Sequence, residues 1–382
     1  MLESFSVTNY RNFKDKITLN LKASNYNFNT EIISENKILN FSMIYGYNAC
    51  GKYNLMLALF DIVYGLTDLN HRERGLEKDN SKNYQNVFNK DKLVEFEYKF
   101  NFNGNVVSYN YKKKNIDEIV FEELKINEKI FIYFDKSKGS TFESNFQETK
   151  FLKLDLKDIK ISTVKYLYSN TQLDKSNNES KTFYDFMDFV NNMLLFWSLQ
   201  ERTYIGYKNG ASKIIEEIIK NKWIDEYNKF LSENSIDRII VVKQLPDGGK
   251  AAYYKFGKDK YLPFESNMSN GESALLLLFY WWEMSKSTQH PSLLCIDGFD
   301  AFYHIDLSKK IVAILKKMKN IQIIITSHNP NLISNEILRP DAYFLIEGNK
   351  IDSINNLTDK ELRQVHNLEK MFKAGSFKNS EI

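Results

Sequence analysis

A chain of 382 residues, 43% apolar and 14% aromatic, can bury the cores of one large or two ordinary domains without disulfide staples, and its two cysteines, Cys50 and Cys295, are too few for a disulfide framework. The 52 basic and 49 acidic residues leave a net charge of +3, so any nucleic-acid site has to be a local patch rather than a global field. MLESFSVTNYRNFKD lacks the basic start and apolar run of a secretory signal, and the longest apolar stretch, ALLLLFYWW from Ala274, falls far short of the roughly 20 residues that span a bilayer; the expectation is a soluble cytoplasmic protein with reduced thiols and no membrane segment.

In chain order, LESFSVTNY and KITLNLKA alternate apolar and polar residues and predict two strands joined by the turn YRNF. NFSMIYG predicts a buried strand that runs into GYNACGK. KYNLMLALFDIVYGLT continues as a helix with Leu55, Leu57, Leu59, Phe60 and Ile62 on its apolar side. LVEFEYKFNFNGNVVSYNYKKKN alternates around NGN, a hairpin signal, and DEIVFEELKINEKIFIYFDKSKGS continues in the same style, so an antiparallel meander is expected over about residues 92–155. From about 166 to 236 the pattern becomes helical in TFYDFMDFVNNMLLFWSLQ and ASKIIEEIIKNKWIDEYNKFLSEN, after the polar linker SNTQLDKSNNES.

DRIIVVKQL, the turn PDGGK and AAYYKF then lead to SNMSNGESALLLLFYWWEMSK. Two apolar runs, SLLCIDGFD and IQIIITSHN, flank the helix LSKKIVAILKKMK; this order implies a parallel, right-handed crossover with strands buried on both faces. DAYFLIEGNKIDSI predicts a last hairpin and DKELRQVHNLEKMFKAG a charged helix. No internal repeat or long low-complexity tract is apparent.

Four motifs carry chemistry. G-x-x-x-x-G-K is present as Gly46, Gly51 and Lys52 between a strand and a helix, the context in which backbone N–H groups converge on phosphate oxygens while the lysine reaches the outer phosphates. SLLCIDGFD ends its strand at Asp297, where a carboxylate holds Mg²⁺ or else caps the next helix. IIITSHN ends at His328, placed to contact a γ-phosphate or simply to satisfy its own polar neighbours. SNGES, Ser269 to Ser273, offers Gly271 and free amides to a phosphate, or forms a plain helix cap with Glu272 near N3.

In this order the motifs resemble the ABC-type ATPase heads of the SMC, RecF and OLD-like group, and most closely the compact AAA_15-type ATP-binding proteins of bacterial anti-phage defence loci. FSVTNYRNFKD looks like that group's N-terminal strand pair, GYNACGKYNL its Walker A, SNGES its signature turn, LLCIDGFDAFYH its Walker B and IIITSHNPNLIS its switch histidine. The resemblance implies an α/β fold: an ABC-ATPase head with a mixed sheet, an antiparallel β subdomain and a short helical insertion. Residues 1–165 would carry the N-terminal half with Walker A, 166–236 the helical insertion, and 237–382 the signature, Walker B, switch histidine and C-terminal helix.

It further implies ATP and Mg²⁺ as ligands and a homodimer closed around the nucleotides. Gly46, Asn48, Gly51, Lys52, Tyr53 and Asn54 would belong to the nucleotide site, with Arg11 and Phe13 near its phosphates or base. Ser269, Gly271 and Glu272 would face the ATP of the partner protomer, Asp297 and Gln85 the metal, and His328 the γ-phosphate. The resemblance also implies a separate effector, such as a nuclease or other toxin, that takes the output; no Toprim-like acidic cluster is visible after the switch histidine. The alternative is an active RecF- or SMC-type ATPase acting on DNA, for which YKKKN and ILKKMKN are the available basic stretches.

Two positions depart from the pattern. Tyr53 replaces the Ser or Thr whose hydroxyl completes Mg²⁺ coordination, and Gly298 replaces the glutamate that orients the attacking water. Cys50 in place of serine is milder. Asp300 is the candidate substitute for the glutamate, or else a polar residue in a loop that meets the partner. The expectation is a nucleotide-gated sensor or scaffold in which hydrolysis is weak or lost.

Overall fold

The computed structural model describes residues 1–69, 84–139, 141–150, 161–207, 214–288 and 290–377. Two strands, β1 (Leu2–Thr8) and β2 (Ile17–Asn20), precede β3 (Phe41–Tyr45), which leads into helices α1 (Lys52–Leu59) and α2 (Asp61–Leu66). The meander follows as β4 (Val94–Phe102), β5 (Asn105–Asn115), β6 (Glu118–Ile126), β7 (Lys129–Asp135) and β8 (Glu143–Ser144). Then come α3 (Thr163–Asn170), α4 (Asn178–Asn191), β9 (Met193–Ser198), β10 (Thr203–Gly206), α5 (Ile214–Lys220) and α6 (Ile224–Glu233). A small three-stranded sheet, β11 (Ile240–Gln244), β12 (Lys250–Phe256) and β13 (Lys260–Pro263), precedes α7 (Asn270–Ser285). The chain closes with β14 (Leu293–Ile296), α8 (Ile305–Leu315), β15 (Gln322–Thr326), β16 (Tyr343–Glu347), β17 (Lys350–Ser353) and α9 (Leu368–Lys373).

The antiparallel sheet runs β2-β1-β4-β5-β6-β7-β8. Its tight turns follow from residues that tolerate a left-handed backbone: Asn103 and Gly104 between β4 and β5 have φ of 53° and 91°, the geometry that matches strand twist in a two-residue hairpin. Alternate residues of β4 and β5 point inward, and Phe96 stacks on Tyr111 at 4.8 Å while Phe100 meets Phe186 and Phe189 of α4 at 5.3 Å.

The second sheet runs β10-β9-β14-β15-β3-β16-β17, parallel from β9 to β16 with an antiparallel strand at each edge. Every residue of β3, β14 and β15 is buried, the pattern of strands covered on both faces. The mixed α/β class expected from the motif order is the one observed.

Two local expectations are corrected. MLLFWS, read as the end of a helix within the 166–236 insertion, is strand β9, and β10 follows it. Met193 to Phe196 pair in parallel with Leu293 to Ile296 of β14, so this stretch belongs to the central sheet. A short run of apolar residues fits both periods; here α4 stops at its C-cap Asn192, and Met193 to Phe196, which follow, are buried. The expected long helix from residue 359 is confined to α9, because the Asn367 side chain accepts the Lys370 N–H and starts the helix there.

Three polar links bind the parts together. Gln322, fully buried at the start of β15, accepts the Leu2 N–H at 2.9 Å and donates to the Leu2 and Leu39 carbonyls at 2.8 and 3.0 Å. Asp61, the first residue of α2, receives Lys113 at 3.0 Å, the Tyr84 hydroxyl at 2.8 Å and the Tyr111 hydroxyl at 2.9 Å, all of them buried. The Tyr98 hydroxyl donates to the Ala58 carbonyl at 3.0 Å, where α1 gives way to α2. Much of the basic stretch YKKKN is consumed in this way, since Lys113 serves Asp61 and Lys112 pairs with Glu95. Lys316 of ILKKMKN pairs with Glu31. Among the described residues no helix is long and apolar enough to cross a membrane.

Breaking one member of a buried pair strands the other. Lys113→Met is expected to lower stability by about 3–5 kcal/mol, read by denaturant unfolding, and Asp61→Asn with Lys113→Met to recover part of the loss. Gln322→Ala, which orphans three backbone groups, is expected to cost about 2–4 kcal/mol in the same measurement.

Candidate functional site

The loop between β3 and α1 takes its shape from two glycines. A Cβ on Gly46 would lie 2.6 Å from Cys50 Sγ and from the Ile346 carbonyl, so only glycine lets β16 approach. Gly51 has φ +104°, and a Cβ there would meet Asn12 Nδ2 at 2.3 Å and Phe13 Cζ at 2.9 Å. Gly51 is also the N-cap of α1 and offers no side-chain oxygen, which leaves the first-turn amides and the positive end of the helix to an anion. Lys52 is buried, and its ammonium donates to the Gly46 carbonyl at 2.8 Å and the Tyr47 carbonyl at 3.0 Å, at the mouth of its own loop.

The turn between β1 and β2 lies on this loop. Asn12 Nδ2 donates to the Cys50 carbonyl at 3.3 Å, Asn54 Nδ2 donates to Asn12 Oδ1 at 2.6 Å, and Arg11 Nη1 donates to Asn54 Oδ1 at 3.1 Å. Arg11 has φ +49° and is braced from behind: its N–H donates to the Tyr84 carbonyl and its carbonyl accepts Asn86 Nδ2 at 2.7 Å. Phe13 is buried beneath Gly51 and supports the loop. Gln85 pairs with Tyr10 through the backbone, and its side-chain amide donates to the Lys114 carbonyl at 2.7 Å.

The acidic edge comes from the strand register. Ile296 of β14 is level with Ile325 of β15, so the residues just beyond them adjoin: Thr326 donates its hydroxyl to Asp297 at 2.6 Å and accepts the Gly298 N–H at 2.7 Å. One turn further, Ser327 donates to Asp300 at 2.7 Å and accepts the Asn329 N–H at 2.9 Å. His328 is exposed. Its pKa is lowered from its ordinary value by partial burial and by Lys52, against the opposing pull of Asp300 and Asp297. Lys52, Asp297, Asp300 and His328 therefore share one electrostatic neighbourhood. A cavity of about 360 Å³ beside it is lined by Gly46, Tyr47, Asn48, His328 and Phe372 among others.

Tyr53 is half-buried against the core next to Lys52. Its phenol is pushed above its ordinary pKa by burial and by Asp297, with Arg11 opposing. Magnesium demands near-octahedral oxygen ligation at about 2.0–2.1 Å. Here the compact hydroxyl is replaced by a protonated phenol, one oxygen of Asp297 receives Thr326, and the amide of Gln85 is turned to Lys114. Among the described residues no group of three or more His, Cys, Asp or Glu could hold a metal ion. The compact hydroxyl is gone, but Thr326 engages one oxygen of Asp297 and Ser327 one of Asp300, and one or two carboxylates with a nucleotide's own phosphates are the usual ligands of magnesium, so these two residues would hold it.

Gly298 is more than a missing carboxylate. Its φ is +58°, with open space around a notional Cβ, so a glutamate would find room but a strained backbone. The SNGES turn makes its contacts elsewhere. Ser269 caps α7 by accepting the Glu272 N–H, and Glu272 returns to the Ser269 N–H at 3.0 Å and hydroxyl at 2.8 Å, a complete capping box. Ser269 and Asn270 are exposed, and Gly271 lies close to the Phe302 carbonyl in the loop after Asp297. The reading from sequence overlooked Asn12, whose one signal was an amide side chain between Arg11 and Phe13 in a tight turn. It also gave no partner to Thr326 and Ser327.

A protein-family model described as "AAA domain, putative AbiEii toxin, Type IV TA system" (AAA_21) matches residues 41–334, a span that runs from the start of β3 past His328. A comparison with curated proteins returns no match. Solved structures similar to this chain include an SMC head bound to the C-winged helix domain of ScpA, at 12% identity over 92% of this chain and 97% of that one, with a TM-score of 0.46. The SMC head domain from Thermotoga maritima is 13% identical over 92% and 97%, TM-score 0.41. An Smc head domain with an extended coiled coil bound to the C-terminal domain of ScpA, from Pyrococcus furiosus, is 14% identical over 92% and 95%, TM-score 0.42. With the family model covering well over half of its length, the chain belongs to the AAA_21 family of ABC-like P-loop ATPases.

Proposed function

We propose that this protein binds ATP as a homodimer and works as a nucleotide-gated sensor or scaffold with weak or absent hydrolysis, passing its state to a separate effector in an anti-phage system. The observation that carries this reading is the contrast within one site. The binding cradle is kept in Gly46, Gly51, Lys52 and the open first turn of α1. The position of the water-orienting carboxylate is instead Gly298 in a left-handed turn.

In this reading the amides at the start of α1 receive the phosphates, and Lys52 exchanges its loop carbonyls for phosphate oxygens. Arg11, held by Asn54, adds a second positive charge. The exposed Ser269–Asn270 turn closes over the nucleotide of the opposite protomer. Without a carboxylate at position 298, general-base assistance worth about 10²–10⁴ in rate is missing. Asp300 accepts the Ser327 hydroxyl on one of its oxygens, which ties it to the residue before His328. The family description, which names a toxin of a type IV toxin–antitoxin system, supports a defence setting with a toxic output. The pairing of Lys112, Lys113 and Lys316 with carboxylates removes much of the basic surface that the DNA-acting alternative drew on.

The test is ATP binding, phosphate release and light-scattering mass with and without ATP. The expected result is saturable binding, a shift from monomer to dimer, and negligible phosphate release. Lys52→Ala is expected to weaken binding by at least about tenfold, about 1.4 kcal/mol, and Ser269→Arg to block the dimer while leaving binding to the single chain intact. Steady turnover that Lys52→Ala abolishes would establish the active ATPase instead.

A further inference from the structure

Lysines gather in the small sheet that precedes α7. From Arg238 to Lys260 there are six basic residues against Asp247 and Asp259. Unlike Lys112, Lys113 and Lys316, the ammonium groups of Lys243, Lys255 and Lys258 form no ion pair among the described residues. The register sets cations and rings on one face: Val241 lies opposite Tyr253, Lys255 lies opposite Tyr261, and Lys243 is two residues on from Val241. Lys243 Nζ is 2.9 Å from the centre of the Tyr261 ring and 5.7 Å from that of Tyr253. Tyr261 and Lys255 are exposed. The other face is fixed to the body of the protein: Ala252 and Tyr254 are buried, Tyr254 meets the Phe264 ring at 5.0 Å, and Asn228 exchanges hydrogen bonds of 2.7 and 2.8 Å with the Ile240 backbone.

Rings and ammonium groups side by side on an open, braced sheet match the two parts of a single-stranded nucleic acid, whose bases offer a π-face to stack and whose phosphates take a cation. In a duplex the faces of the bases are already stacked on one another. Solvated lysines alone account for the charge, but not for two tyrosines set among them on the outer face. We propose that the β11–β13 sheet binds single-stranded nucleic acid, with bases stacked on Tyr261 and Tyr253 and phosphates held by Lys243, Lys255 and Lys258. Lys243, on a flexible stem, exchanges the Tyr261 ring for a phosphate as a base takes its place. The site lies on other elements than the phosphate loop, and this inference does not depend on the nucleotide reading above.

The experiment is fluorescence anisotropy of a labelled oligothymidylate, an oligouridylate and a duplex of the same length with the full chain, from about 50 to 200 mM salt. The parent is expected to bind one or both single strands about tenfold or more tightly than the duplex, and its preference between the two shows whether the sugar is read. Tyr261→Ala is expected to weaken single-strand binding about tenfold with the salt slope unchanged, and Tyr261→Phe, which keeps the ring, to bind like the parent. Lys255→Gln with Lys258→Gln is expected to weaken binding and to make the slope shallower by about 1.4, since each phosphate contact on a single strand contributes about 0.7. Thermal unfolding of each variant separates a lost site from a lost fold, and the lysine pair keeps the test open if Tyr261→Ala does not fold. Equal binding of the duplex, or unchanged binding by Tyr261→Ala, reduces the patch to an unspecific polyanion surface and overturns the inference. Absence of binding at the lowest salt overturns it too, and every one of these outcomes leaves the ATP reading in place.

Discussion

The absent side chain at Gly51 is the constraint on which the site depends. With φ at +104° and no room for a Cβ against Asn12 and Phe13, this residue lets the turn of the antiparallel sheet rest directly on the phosphate loop of the parallel sheet. Asn12, Asn54 and Arg11 then form a chain of side-chain hydrogen bonds across the junction. The junction between α1 and α2 is clamped too, through Asp61 and its buried partners Lys113 and Tyr111 of the same sheet and Tyr84. The segment that starts at Lys52 is therefore held at its first turn and at its kink. Arg11, in the turn between β1 and β2, and Lys52, at the start of α1, keep a fixed relation because of it.

On the opposite side of the loop the carboxylates are held just as firmly. Asp297 and Asp300 receive hydroxyls from Thr326 and Ser327, consecutive residues at the end of the adjoining strand. A hydrogen-bonded carboxylate in a partly buried setting is oriented, and moving it toward a new partner means giving up a charge-assisted bond.

Much of this could be read from the chain beforehand, and the exceptions have physical causes. The two loop glycines and Lys52 stood at their spacing, Asn-Gly announced a left-handed hairpin, and Asp297 and His328 followed uninterrupted apolar runs, as residues at the C-terminal ends of buried parallel strands do. Ser269 and Glu272 had the spacing of the capping box they form. Met193 to Phe196 misled because four consecutive apolar residues have no period, and the parallel partner that decides the matter lies in β14, distant in sequence. Asn12 was silent because its role depends on Gly51 having no side chain, a tertiary fact. The left-handed turn at Gly298 could not be separated from a simple loss of glutamate until its backbone was seen.

The order of the central sheet has a consequence for how the chain is made. Strand β3 lies between β15 and β16, and Gln322 reaches Leu2 across 320 residues of sequence. Hairpins β4 to β8 are contiguous and close locally, so they are free to form while the ribosome is still at work. The loop after β3 has to wait, since the strands on both sides of β3, β15 and β16, lie far along the sequence from it. A nascent chain thus carries a folded antiparallel layer long before the loop that follows β3 has both of its neighbouring strands.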